Sequence, residues 1–232
     1  MHLFLSITDI DRDLTLALNG SESMFWNNLM TIFTNTFSWS LLIVMLLYIF
    51  FRNNSPKDAI IILLSIAMLV FVMDRFCSGF VKPTVARWRP SCDPDIMYLV
   101  DVVNNYRSHK YGFFSGHASN TMCVAMFLSW LFRYRKLSIL LFVWSSIASY
   151  TRIYLGVHYV GDILVGTAAG LLVGYLFYRL YFYLFQRNQQ IYRDSEQYTV
   201  TGYLKKDLDL FFCVILFNYL LLIIISLFLG IR

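Results

Sequence analysis

Long apolar runs separated by short charged segments dominate this 232-residue chain. Six of the runs approach the ~20 residues that an α-helix needs to cross a bilayer. Because lipid offers the backbone no hydrogen-bond partners, segments of this kind must cross as helices. Charged residues make up 14% of the sequence, whereas a soluble domain carries about 25%. The sequence therefore predicts an all-α fold, a six-helix transmembrane bundle that forms one integral membrane domain over residues 1–232.

The predicted spans are joined by connections of very unequal length. Residues 1–23 carry Ile10, Leu14 and Leu18 at helical spacing, which predicts a short amphipathic helix on the membrane surface. The longest polar insertion, residues 78–115, follows the second span, and a polar loop over 186–207 precedes the last one. We expect the spans at 25–51, 59–77, 116–132, 137–150, 159–185 and 208–230.

The net charge of +5 does not indicate a nucleic-acid partner, since the Lys and Arg residues occupy short loops between apolar runs. The four cysteines include no C-x-x-C pair and have no histidine at metal-ligand spacing, so no zinc site and no cofactor are expected. A disulfide between Cys77 and Cys92 is left open. Small residues recur along the fifth predicted span and favour close helix packing: Gly161, Gly166, Gly170 and Gly174.

The segment T-R-I-Y-L-G-V-H-Y-V-G-D, residues 151–162, places three ionisable side chains between two apolar runs. His158 and Asp162 are four residues apart, so in a helix they share one face. The carboxylate would then fix the imidazole tautomer and leave the other nitrogen as a nucleophile. The guanidinium of Arg152 suits a phosphate group. A hydrogen bond at the mouth of a membrane helix would give the same pattern, so this segment alone leaves both interpretations open.

Two further segments carry groups suited to an anion. Lys82 and Arg89 flank K-P-T-V-A-R-W-R-P and have the reach to bind phosphate oxygens, although such a cluster also meets lipid head groups. Arg87, between them, is interpreted as a surface charge. Ser115 and Gly116 would present backbone N–H groups at a helix N-terminus, with His117 on its first turn, although Ser115 could serve only as a helix cap.

Successive membrane helices run in opposite directions, and this alternation predicts on which side of the membrane each of these segments lies. Lys82 and Arg89 follow the second span, 115–117 precede the third, Arg152 ends the fourth and His158 begins the fifth. In an alternating bundle all four points lie on the same side of the membrane. We therefore expect one site that has the groups phosphoryl transfer requires.

Together the three segments resemble the three signature motifs of the type 2 phosphatidic acid phosphatase superfamily, the lipid phosphate phosphatases. The matching patterns are K-x6-R-P from Lys82, S-G-H from Ser115 and R-x5-H-x3-D from Arg152. Phe114 stands where the family usually has Pro, and Thr151 where it usually has Ser. Neither departure removes a catalytic group, although pocket shape and substrate preference could differ.

The resemblance implies a metal-independent hydrolysis in two steps. His158 would attack phosphorus and become a phosphohistidine while Asp162 orients its ring. His117 would protonate the leaving lipid oxygen and then activate water. The phosphate-binding groups would be Lys82, Arg89, Ser115, Gly116 and Arg152. No metal is implied.

The partners implied are the membrane and a phosphorylated lipid, with polyprenyl diphosphate or lipid A favoured and phosphatidylglycerol phosphate or phosphatidate as alternatives. Nine loop Lys and Arg residues lie opposite the site and five lie beside it, which predicts an inner-membrane protein with a periplasmic active site. The soluble haloperoxidase branch of the superfamily is disfavoured by the six spans. A transporter or lipid-binding module is disfavoured because charges gather at one face rather than at mid-membrane.

Overall fold

The computed structural model describes residues 7–186 and 195–229, and this part of the chain is mostly helical. The predicted loop 186–207, the end of the last predicted span at Gly230 and the first six residues fall wholly or partly outside these ranges. Within them the α-helices are α1 Ile7–Leu18, α2 Met24–Thr34, α3 Ser40–Asn53, α4 Pro56–Asp74, α5 Lys82–Val85, α6 Gly116–Phe132, α7 Arg135–Tyr154, α8 Val160–Tyr181 and α9 Lys205–Leu229.

The first predicted span, 25–51, is not one continuous helix. Helix α2 ends at Thr34, Asn35 has extended backbone angles, and a 3₁₀ turn over Thr36–Trp39 leads into α3. The Asn35 side chain accepts a hydrogen bond from the Phe37 N–H at 3.0 Å. This local bond competes with the helical backbone pattern, which accounts for the break.

The second predicted span, 59–77, is longer than expected. Ser55 caps α4 by accepting from the Asp58 N–H, and Pro56 occupies the first helical turn. Beyond Asp74 a π-helical segment, Arg75–Val81, continues without interruption into α5. Lys82 therefore lies near the end of a continuous helix, and the irregular part of the insertion begins only after Val85.

In the described ranges five helical stretches are long and apolar enough to cross a membrane. Helix α6 coincides with the third predicted span but has 17 residues and is not one of the five, so its crossing stays a prediction. Helix α7 is longer at both ends than the predicted 137–150. The five stretches are Thr36–Asn53, Pro56–Val85, Arg135–Tyr154, Val160–Phe185 and Lys205–Leu229.

Helices α6 and α8 pack closely at the centre of the bundle. A Cβ added at Gly166 would lie 2.7 Å from the Ser115 carbonyl oxygen, and one at Gly170 would lie 2.6 Å from that of Ser119. Only glycine permits this approach, which confirms the packing interpretation of these two positions. The contact also brings the first turn of α8 beside the first turn of α6.

Helix α1 lies against the N-terminal end of α8. The Thr15 hydroxyl accepts from the Val160 N–H at 3.1 Å, and Asp11 accepts from the Gly161 N–H at 2.8 Å. The opposite face of α1 exposes a row of apolar side chains, as an interfacial helix would. These side chains are Ile7, Ile10, Leu14 and Leu18. Its location on the membrane surface stays a prediction.

Candidate active site

The imidazole of His158 is held at both ring nitrogens. It is only 2% exposed and lies in the short connection between α7 and α8. The Arg89 guanidinium is 2.9 Å from Nε2, and Asp162 Oδ2 is 3.2 Å from Nδ1. Because a guanidinium can only donate, Nε2 must be the acceptor and Nδ1 carries the proton. The geometry therefore places the lone pair of the imidazole on Nε2.

Asp162 reaches this position from the first turn of α8, where it is fully buried. His158 precedes the helix, so the contact arises at the helix N-terminus rather than along one helical face. The same Oδ2 also accepts from the Tyr159 N–H at 3.2 Å, a bond that helps to cap α8. Local helix geometry thus places the carboxylate beside the imidazole.

Arg87 is not the surface charge that the sequence interpretation made it. Its NH1 group donates to Asp162 Oδ1 at 2.8 Å, and its NH2 group donates to Asp11 Oδ2 at 2.7 Å. Burial alone would lower its pKa, but the hydrogen bond to Asp11 and the nearby carboxylates raise the pKa overall. Arg87 is therefore an ion-pair partner of the carboxylate that contacts His158.

An antiparallel pairing within the insertion explains why two arginines face the site. The Arg89 N–H donates to the Lys110 carbonyl at 3.1 Å, and the Gly112 N–H donates to that of Arg87 at 2.9 Å. In extended backbone, side chains two residues apart lie on the same side. Trp88 points the other way, with Lys110 Nζ 3.9 Å from its ring centroid.

Arg152 lies near the end of α7 and is 7% exposed. Its NH1 group donates to the Thr34 hydroxyl at 2.8 Å and to the Tyr106 hydroxyl at 3.0 Å. Its Nε has no hydrogen-bond partner among the described residues, and neither has the Nε of Arg89. Each guanidinium is thus anchored through one nitrogen and keeps a buried donor unused.

Lys82 approaches the start of α6. A Cβ added at Gly116 would lie 3.6 Å from Lys82 Nζ, and this ammonium group donates to the Ser78 hydroxyl at 3.3 Å. At Gly112, an added Cβ would lie 3.3 Å from Asp162 Oδ2 and 3.4 Å from His158 Nδ1. The insertion therefore packs against the His158–Asp162 pair at Gly112, where a side chain would have little room.

Ser115 differs from the prediction for its backbone amide. Its N–H donates to the Asp162 carbonyl at 3.1 Å and so cannot donate to a phosphate. Its hydroxyl caps α6 by accepting from the Ala118 N–H at 3.4 Å. Gly116 and His117 begin the helix, and the half-buried His117 side chain has no hydrogen-bond partner among the described residues.

The site is strongly electropositive. The pKa of His158 lies well below 6.5 because burial disfavours the imidazolium, and Arg89, Arg152 and Lys82 add repulsion. The pKa of Arg89 is lowered by burial and then by Arg152. A neutral imidazole surrounded by cations is a suitable setting for attack on a bound phosphate.

Neither a metal cluster nor a disulfide is found near these groups. Among the described residues, no group of three or more His, Cys, Asp or Glu side chains is placed to hold a metal ion. Cys77 and Cys92 are both free, so the disulfide left open by the sequence is not formed. Cys77 instead donates from Sγ to the Phe114 carbonyl at 3.2 Å and braces the segment before α6.

Four residues at the site were missed or misjudged from the sequence: Asp11, Thr34, Arg87 and Tyr106. Arg87 had a usable signal, since a position two residues before Arg89 in extended chain lies on the same side. The others contact the site across long sequence separations, 76 residues for the Asp11–Arg87 pair and 118 for Thr34–Arg152. Such contacts depend on tertiary packing and leave no local pattern.

Comparison with known proteins gives concordant matches. Residues 58–186 match the family model described as the PAP2 superfamily. The chain is 41% identical over 174 residues to a lipid A 4′-phosphatase of Bacteroides thetaiotaomicron, covering 74% of this chain and 77% of that protein. It is 36% identical over 179 residues to a lipid A 4′-phosphatase of Porphyromonas gingivalis, covering 76% of this chain and 75% of the relative.

Among solved structures, the fold is similar to a transmembrane PAP2-type phosphatidylglycerolphosphate phosphatase from Bacillus subtilis. The TM-score is 0.58 at 22% sequence identity, over 81% of this chain and 89% of that one. This likeness concerns the fold, whereas the family model spans all three motif segments. The predicted family is thereby confirmed: the chain belongs to the PAP2 superfamily and is a multi-pass membrane protein.

Proposed function

We propose that this protein is a membrane lipid phosphatase that removes a phosphate group from lipid A. The observation that carries the proposal is the His158 arrangement, in which Nε2 faces Arg89 while Nδ1 donates to Asp162. The choice of lipid A is supported by the two relatives named lipid A 4′-phosphatase. By analogy we assign the 4′-phosphate as the group removed.

In the first step, His158 Nε2 attacks phosphorus and the bond from phosphorus to the lipid oxygen breaks. His117 enters this step as an imidazolium, the form that the bound phosphate anion favours, and gives its proton to that oxygen, so the dephosphorylated lipid leaves as a neutral hydroxyl. Arg89 would pass from Nε2 to an oxygen of the phosphoryl group, which places phosphorus next to the nucleophile. Lys82 and Arg152 stabilise the charge that spreads over the other oxygens.

In the second step, His117 takes a proton from water and the water oxygen attacks phosphorus. The bond between phosphorus and Nε2 breaks, phosphate departs and neutral His158 is restored. Throughout both steps Asp162 accepts a hydrogen bond from Nδ1–H of His158. Its negative charge stabilises the imidazole ring as the ring gains positive charge. The excess of loop Lys and Arg residues opposite the site supports an inner-membrane location with the site facing the periplasm.

The test is phosphate release by the purified protein in detergent with EDTA present. The substrates are lipid A, a polyprenyl diphosphate, phosphatidylglycerol phosphate and phosphatidate. We expect turnover of lipid A, with mass spectrometry locating the loss at the 4′ position, and none with His158→Ala. Preference for another lipid would correct the substrate, and unchanged turnover in His158→Ala would exclude the mechanism.

A further inference from the structure

Two ion pairs and one hydrogen bond connect α1 with His158. Asp11 on α1 accepts from Arg87 at 2.7 Å, and Arg87 donates to Asp162 at 2.8 Å. Asp162 in turn contacts His158 at 3.2 Å. Asp11 and His158, the first and last residues of this series of contacts, lie more than 140 residues apart in the sequence.

The two oxygens of Asp162 have separate partners. Oδ1 accepts from Arg87, whereas Oδ2 accepts from the His158 ring and from the Tyr159 N–H. A rotation of the carboxylate would break contacts on both sides. Because Asp162 has no exposed surface, solvent water cannot replace a partner that is removed.

Arg87 is itself held on three sides. Each terminal nitrogen of its guanidinium binds one carboxylate, and the plane lies over the Tyr159 ring with Cζ 4.1 Å from the centroid. The second oxygen of Asp11 accepts from the Gly161 N–H in the first turn of α8. Asp11 therefore ties Arg87 to the same helix turn that carries Asp162.

We propose that Arg87 and Asp11 are positioning residues for phosphoryl transfer: Arg87 fixes the Asp162 carboxylate against His158, and α1 fixes Arg87 through Asp11. The inference rests on the proposed function of His158 as nucleophile. It assigns a function to α1, which lies outside the residues matched by the family model. Neither residue is proposed to contact the phosphate, in contrast to Arg89 and Arg152.

The test compares Arg87→Gln, Arg87→Lys, Asp11→Asn and the Arg87→Gln/Asp11→Asn double variant with wild type, using lipid A. Asp13→Asn is the matched control, since it makes the same charge change on an exposed position of α1. We expect Arg87→Gln to lower kcat about 10- to 100-fold, by analogy with the loss of a partner that orients a metal-bound histidine. Asp11→Asn should lower kcat less, and Asp13→Asn should leave it unchanged.

Three readouts distinguish positioning from general damage to the fold. KM and inhibition by inorganic phosphate should change less than about twofold, because the phosphate-binding groups remain. Arg87→Lys should recover only part of kcat, since an ammonium group is a single point charge and cannot bridge both carboxylates as a fork does. The double variant should be no slower than Arg87→Gln alone, because Asn keeps an oxygen to accept from the Gly161 N–H and Asp11→Asn removes only the ion pair with Arg87.

Wild-type kcat in Arg87→Gln, or losses that multiply in the double variant, would overturn the inference. If Arg87→Gln fails to fold, as judged by gel filtration and thermal unfolding, Arg87→Lys and Asp11→Asn carry the comparison. Failure of the proposed function has a different signature, namely no turnover of any lipid by wild type or normal turnover by His158→Ala.

Discussion

The proposed mechanism requires an unprotonated His158, and the surroundings of the imidazole lower its pKa. Burial and three neighbouring cations hold its pKa well below 6.5, so lowering the pH to 6.5 does not charge the ring. In NMR spectra of ¹⁵N-histidine-labelled protein, assigned with His158→Ala, we expect its ring to be neutral at pH 6.5. A protonation midpoint at or above 6.5 would contradict the electrostatic description of the site.

Arg89 and Arg152 are each anchored by the protein and still keep N–H donors that could bind a phosphate group. The protein anchors each guanidinium through NH1, to the Val157 carbonyl for Arg89 and to two hydroxyl groups for Arg152. In both, Nε is buried without a partner among the described residues. Since a guanidinium has five N–H donors in a rigid plane, one edge can be held while another binds phosphate oxygens.

Helices α6 and α8 pack so closely that the glycine positions of α8 have no room for a side chain. A Cβ at position 170 would lie 2.6 Å from the Ser119 carbonyl oxygen and 2.9 Å from the Met122 Cβ. Gly170→Ala must therefore separate the helices, and we expect it to cost about 1–3 kcal/mol of stability. Thermal unfolding in detergent would measure the loss.

Gly79→Ala is the control for this substitution. Gly79 is also helical, but an added Cβ there meets nothing within 4 Å. Alanine favours helix over glycine by up to about 1 kcal/mol, so this variant should be neutral or slightly stabilised. An equal loss in both variants would show that the effect does not come from the contact with α6.

The helices differ in how far the sequence could predict them. The bounds of α6 agree with the predicted span because Ser115 marks its start and the basic segment after Phe132 marks its end. The break at Asn35 was missed because apolar residues continue on both sides of it. The same contrast holds for the site: Lys82, Arg89, His117, Arg152, His158 and Asp162 belong to motifs with fixed spacing, whereas Asp11 and Thr34 do not.

The main prediction for the whole molecule is its orientation in the membrane, with the candidate site on the periplasmic side. Asp13→Cys on α1 marks the site side, and Lys57→Cys, at the other end of α4, marks the opposite side. In a background with Cys92 and Cys213 replaced by Ser, a membrane-impermeant maleimide should label Asp13→Cys in intact spheroplasts. Lys57→Cys should be labelled only after lysis, since the excess of basic loops lies on its side. The reverse pattern would place the site in the cytoplasm.

Helix α6 has 17 residues, ten of them buried by neighbouring helices, and its first two turns carry Ser119 and Asn120. Lipid therefore has little contact with it, and its sequence is matched to protein neighbours rather than to the bilayer. During synthesis the packing surface of α8 emerges about 50 residues later. If α6 crosses the membrane as predicted, it reaches the translocon before α8, and the glycine face of α8 can pack against it only afterwards.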